Sequence, residues 1–210
     1  MARELRGLAR SVSVMSDVEL ALHAAFGRSG RGILVVAGTG SMAVGRTARG
    51  RLKRAGGLGP AQGDEGSGWW MGKEYQRRRS GARRTEEESP PTPATVRRTA
   101  GLAARVLRRA ATDPLCAQIR REAQEHIAEL VISVAKGWKS PPPLPVGWGG
   151  ALLKNPAFRK GVWHRLRCLA PGRFQVAAHR GTPERTAARH PDYFPRRPPR
   201  EVSPRFRTKK

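Results

Sequence analysis

The sequence predicts an α/β fold, and three observations carry that expectation. Ile33-Leu34-Val35-Val36-Ala37 is a run of five apolar residues, as in a strand buried on both faces. A helical stretch, Val18 to Phe26, precedes it, and a longer one from Leu115 to Val134 follows. Glycine-rich turns punctuate these elements, one at Gly38-Thr39-Gly40-Ser41 and a denser one from Gly56 to Gly68. Glycine at such density is kept where a backbone turns sharply or a ligand comes close.

In chain order, Ser11-Val12-Ser13-Val14-Met15 alternates small polar and apolar residues, as a short strand does. Ser16-Asp17 offers a helix N-cap, and Gly27 ends the helix. After the Gly38–Gly40 turn, Met42 to Val44 can return as the hairpin partner of Ile33–Ala37. Gly63 to Gly68 leads into a helix beginning at Trp69-Trp70. Arg77 to Pro93 is charged and Pro-rich, and 81–93 is expected to be a flexible surface loop. Val96 to Ala111 reads as an Arg-Ala helix. Thr112 or Asp113 caps the next helix, with Pro114 at its first position, and Gly137 ends it. Pro141-Pro142-Pro143 breaks the chain, and 144–150 gives a short strand ending in a glycine pair. Ala157 to Leu169 follows as a helix. From Ala170 onward periodicity vanishes, and 170–210 is expected to be a disordered basic tail.

The formal net charge of +25 would ordinarily suggest nucleic acid or an anionic surface. Its distribution argues otherwise, because 159–210 holds 15 basic residues against 3 acidic ones. Arginine outnumbers lysine 33 to 8, as a compositional bias would produce. Nucleic-acid binding therefore stays a minority alternative resting on charge alone. The two cysteines, Cys116 and Cys168, are far apart and form no metal-spaced cluster. The five histidines form no pair at ligand spacing, so no transition-metal site is expected. No apolar run approaches the length of a membrane span or of a signal peptide, and a cytoplasmic setting is expected.

Taken by themselves, the glycine turns are equally hairpin turns or a cradle for phosphate and sugar. The order of three blocks discriminates between these. Ile33 to Arg46, Gly56-Gly57-Leu58-Gly59, and Gly63-Asp64-Glu65-Gly66-Ser67-Gly68-Trp69-Trp70-Met71-Gly72 together resemble the N-acetylglucosamine kinase family. That family is grouped with the BadF/BadG/BcrA/BcrD-type ATPases in the sugar kinase, Hsp70 and actin superfamily. The resemblance runs from about Ser11 to Leu169. It implies a partial RNase H-like (actin-like ATPase) fold over 1–169, with a helical insert.

The resemblance further implies an ATP-dependent carbohydrate kinase that phosphorylates an amino sugar or related hexose, using ATP with Mg²⁺. Asp17, which on its own reads as a helix cap, would accept the proton of the attacking sugar hydroxyl. Gly38, Thr39, Gly40 and Ser41 would offer backbone N–H groups and two hydroxyls to the phosphates. Gly57, Leu58, Gly59 and Asp64 match the segment that contacts sugar, although the family often has Trp where Leu58 stands. Gly149 and Gly150 match the pair that lets the backbone approach adenosine. Glu65 reads as a helix-start charge, and Ala123 and the tryptophans as core.

The expected partners are the sugar and ATP, with a homodimer as an allowed assembly and no membrane. An activator-type ATPase of the same fold is the alternative. Nothing upstream of Asp17 resembles the superfamily's first phosphate loop, so the chain is expected to be a truncated kinase domain with little activity alone.

Overall fold

The computed structural model describes residues 16–47, 49–81 and 90–177. The strand expected at Ser11–Met15, most of the charged loop and all of the tail beyond 177 lie outside those residues.

Helix α1 spans Asp17–Phe26, and Ser16 caps it by accepting the Glu19 N–H at 3.2 Å. A short 3-10 turn, Gly27–Ser29, leads into β1, Gly32–Ala37. β2 (Ser41–Arg46) and β3 (Leu52–Gly56) complete an antiparallel meander. Three long helices follow: α2 (Gly68–Ser80), α3 (Pro93–Arg109) and α4 (Pro114–Ala135). The chain then re-enters the sheet at β4, Leu144–Gly149, which pairs parallel to β1. A single turn, α5 (Ala151–Lys154), precedes α6 (Pro156–Leu169) and then β5 (Phe174–Val176), parallel to β4. The sheet order is β3-β2-β1-β4-β5. This mixed sheet with helices is the fold that the sequence predicts.

Alternation along β1 separates two unequal cores. Leu34 faces α1 and meets Leu22 and Val44 there. Ile33, Val35 and Ala37 face the other way, into a large cluster with Ile119, Ile127 and Val131 of α4. The long helix matches its expected apolar spacing. Asp113, rather than Thr112, caps it, accepting N–H groups from Leu115 and Cys116.

Three elements differ from the expectation. β3 was not expected as a strand, because Leu52, Lys53 and Arg54 are exposed and the latter two charged, in the manner of a sheet edge. β5 lies beyond Leu169, so the sheet extends past the expected domain end. Helix α2 runs on through Arg77–Ser80 instead of giving way to the loop. Its last turn is held by Glu74, which is 3% exposed and accepts from Arg77 at 2.7 Å and from Arg78 at 2.9 Å. Arg78 reaches on to Glu122, tying α2 to α4.

Close backbone contact packs the helices. A Cβ on Gly72 would overlap the carbonyl of Thr99, so α3 can press against α2 only because position 72 has no side chain. On α4, the Gln124 amide donates to the Phe158 carbonyl of α6 at 3.1 Å.

Candidate functional site

Topology gathers the glycine turns at one edge. β3 is antiparallel to β2 and β2 to β1, so β3 runs in the same direction as β1; β4 is parallel to both. The segments following β1, β3 and β4 therefore leave from the same end of the sheet. In α/β sheets, this C-terminal edge is where ligands bind. Contacts join the segments there. A Cβ on Gly38 would stand 3.7 Å from the Ala151 amide nitrogen and 4.0 Å from the Cα of Gly150. The Gly57 N–H donates to the Ser41 carbonyl at 2.8 Å.

The turn between β1 and β2 is wired to the start of α2. Gly68 and Trp69 donate their N–H groups to the carbonyls of Gly38 and Thr39, at 2.7 and 3.1 Å. In a planar trans peptide the N–H points opposite to the C=O. The N–H groups of Thr39 and Gly40 therefore point away from α2, side by side, and neither has a partner among the described residues. Successive amides presented in this way form an anion-binding concavity. Thr39 is exposed and can add its hydroxyl.

Ser41 sits differently from the expectation. It is buried, its N–H donates to Asp64 Oδ1 at 3.0 Å, and its hydroxyl donates to the Glu65 carbonyl at 2.7 Å. Both donors are committed inside the protein. The Gly38 N–H is also taken, by the Gly40 carbonyl at 2.9 Å. Of the four turn residues expected at the phosphates, Thr39 and Gly40 are the two that present unpaired amides.

Asp64 is buried, with φ 65°, and its Oδ1 faces the turn, accepting the Ser41 N–H. Leu58, by contrast, is 66% exposed at the lip of the loop after β3. Gly57 and Gly59 both take positive φ around it. Arg54 folds back over this loop, donating to the carbonyls of Gly56 and Gly57. The Trp69 indole N–H holds its far side through the Pro60 carbonyl at 3.0 Å. Arg54 and Trp69 were not expected in this scaffold. Trp69 could have been found from its place two residues after Ser67, which caps α2 through the Trp70 N–H at 3.2 Å.

Gly150 adopts φ 87° after β4, and any side chain there would strike the Ala37 carbonyl. Gly149 pairs with Val36, beside the β1–β2 turn. Asp17 is exposed at the first turn of α1, where its Oδ1 accepts the Val18 N–H at 2.8 Å. Ser16 does the capping, which leaves the Asp17 carboxylate facing solvent. Phe26 packs on Gly32 at the start of β1, and Glu19, in the same first turn as Asp17, pairs with Arg46, the register partner of Gly32. No hydrogen bond or ion pair joins Asp17 to the Thr39 or Asp64 loops among the described residues.

Toward the other end of α2, the ionic cluster has shifted acidities. Burial alone would raise the Glu74 carboxyl, but hydrogen bonds from Arg77 and Arg78 outweigh it and hold the group below its usual range. Glu122 is lowered by its hydrogen bond from Arg78, against opposing desolvation. Arg78 is raised, chiefly by Glu122. Among the described residues no group of three or more His, Cys, Asp or Glu could hold a metal ion, and no helix is long and apolar enough to cross a membrane.

Comparison with known proteins bears on the family and the fold. Over 72 residues the chain is 43% identical to an N-acetylmuramic acid/N-acetylglucosamine kinase of Clostridium acetobutylicum, covering 34% of this chain and 23% of that protein. A crystal structure of a proposed N-acetylglucosamine kinase from Chromobacterium violaceum matches with a TM-score of 0.57 at 24% identity, over 89% of this chain and 69% of that one. Another, from Porphyromonas gingivalis, matches with a TM-score of 0.56 at 18% identity, over 81% and 65%. These likenesses identify a sugar kinase or actin-like ATPase fold. The stretch matched in the Clostridium relative is thus under a quarter of that protein's length. The sequence profile of the BadF/BadG/BcrA/BcrD ATPase family matches residues 7–165. With three quarters of its residues inside that match, the chain belongs to the BadF/BadG/BcrA/BcrD ATPase family.

Proposed function

We propose that this chain forms the phosphate- and sugar-binding part of an ATP-dependent carbohydrate kinase of the N-acetylglucosamine kinase type, acting on an amino sugar or related hexose. The observation that carries the reading is the Thr39–Gly40 turn, whose two unpaired amides are aimed outward by α2. Phosphoryl transfer requires mainly positioning and charge neutralisation, which such a turn supplies. Thr39 and Gly40 would hold phosphate oxygens, with Gly38 and Ser41 shaping the turn. Gly149 and Gly150 would let the adenosine approach the backbone. Gly57, Leu58, Gly59 and Asp64 would face the sugar, and Asp17 would take the proton of its reacting hydroxyl. Mg²⁺ would supply charge neutralisation at the phosphates, held largely by those phosphates.

The activator-type alternative gains nothing from the cysteines. Cys116 is buried in α4, where desolvation raises its thiol pKa, and Cys168 is exposed on α6. Sugar-stimulated ADP release, measured across hexoses and hexosamines beside an Asp17→Asn variant, tests the proposal. Weak release with at least one hexosamine, lost on substitution, is expected. ATP hydrolysis that no sugar in the panel stimulates would overturn the kinase reading.

A further inference from the structure

Among the described residues, Asp64 is the one non-glycine residue at positive φ, 65°. It is also 7% exposed. Each property carries a cost. The left-handed region disfavours side chains, and a buried carboxylate loses its hydration unless it is well bonded. Glycine would relieve both costs, so the carboxylate is retained for what it contacts. Its Oδ1 accepts the Ser41 N–H at 3.0 Å, across 23 residues of sequence. Both of its oxygens also lie against Gly40, where a Cβ would stand 2.9 Å from Oδ1 and 3.0 Å from Oδ2. Ser41 N–H belongs to the third consecutive amide of the turn, after those of Thr39 and Gly40. Fixing the Gly40–Ser41 peptide from one side, while Gly68 and Trp69 fix the two peptides before it, leaves the turn a single orientation.

We propose that Asp64 is a positioning residue for the Thr39–Gly40 amides: its carboxylate holds the phosphate turn in its anion-binding shape before any sugar arrives. This rests on the nucleotide-binding reading above and goes beyond the sugar contact assigned to Asp64 there. It makes a prediction of unusual sign. A carboxylate beside an anion site repels the anion, so a purely electrostatic role means that removing the charge tightens ATP binding. A positioning role means that removing the acceptor weakens it, because the Ser41 N–H loses its partner and the turn its orientation.

The test titrates a fluorescent ATP analogue, without sugar, into the intact chain and three variants. Asp64→Asn keeps an acceptor oxygen, drops the charge and suits positive φ. Asp64→Ala removes the acceptor. Gly40→Ala keeps the carboxylate but drives it off the turn. We expect Asp64→Ala and Gly40→Ala to raise the dissociation constant about tenfold, the equivalent of one lost charge-assisted hydrogen bond, with Asp64→Asn within about twofold of the unmodified chain. Asp64→Ala binding as tightly as the unmodified chain, or more so, would overturn the proposal. Should Asp64→Ala fail to fold, the other two decide. Weak Gly40→Ala with intact Asp64→Asn supports the role, and equal loss in both refutes it. If the unmodified chain binds no ATP analogue, the nucleotide reading itself fails, and this inference with it.

Discussion

At Gly149 and Gly150 two adjacent glycines have opposite standing. Gly150 sits at φ 87°, with the Ala37 carbonyl where a side chain would go; at Gly149 a Cβ would meet Val36 Cγ2 at an ordinary 3.6 Å. Gly150→Ala should therefore destabilise the protein by roughly 1–3 kcal/mol, from strained backbone and overlap together. Gly149→Ala should stay within about 0.5 kcal/mol of the parent. Urea denaturation of both proteins checks this, and equal effects would refute the distinction. The pair is visible in the sequence, but which member is obligatory is not, because that depends on how closely β1 passes. Ser41 shows the same limit. Its residue type suits a phosphate loop, yet its two donors are spent on Asp64 and Glu65, partners more than twenty residues away.

Among the elements, helices with long apolar periodicity were readable and short or polar ones were not. Helix α4 announces itself through Ile119, Ile127 and Val131, and β1 through its five apolar residues. The β3 strand hides because its residues satisfy a sheet edge rather than a core, and β5 because three residues carry no period. The last turn of α2 is missed for an electrostatic reason: Arg77 and Arg78 look like loop until Glu74 and Glu122 are seen to neutralise them. That cluster predicts a pH response. Glu74 and Glu122 have carboxyls lowered in the folded protein, so each stabilises the fold above its unfolded pKa. The contribution is lost as pH falls through the folded values. The melting temperature should hold steady near neutrality and fall below a pH of about 4.5. In Glu74→Gln that acid slope should shallow, and an unchanged slope would show that other carboxylates govern it. At the α2–α3 contact, Gly72→Ala should cost about 1–3 kcal/mol, since Thr99's backbone cannot retreat without moving α3. A denaturation midpoint equal to the parent's would show that the two helices part freely.

On the scale of the whole molecule, the two faces of the sheet are covered unequally. One bears α2, α3, α4 and α6 over a continuous core. The other bears α1, with Leu22, Leu34 and Val44 as the buried residues of its small cluster. Stability is distributed accordingly, because local opening is easiest where few apolar contacts are lost. Ile127→Ala removes a fully buried side chain from the large core and should cost about 2–5 kcal/mol of global stability. Helix α1, tied to the sheet by the small cluster and by the 2.8 Å Arg46–Glu19 ion pair, should open separately. The candidate base Asp17 rides on that helix, so the catalytic carboxylate proposed here lies on the more easily released element. Native-state hydrogen exchange resolves this directly. Amides of α1 should exchange through an opening smaller than global unfolding, while those of β1 and α4 exchange with the global transition. Arg46→Ala should speed the α1 exchange and leave α4 unchanged. If α1 and α4 respond together, the two faces form one cooperative unit and the separation argued here is wrong.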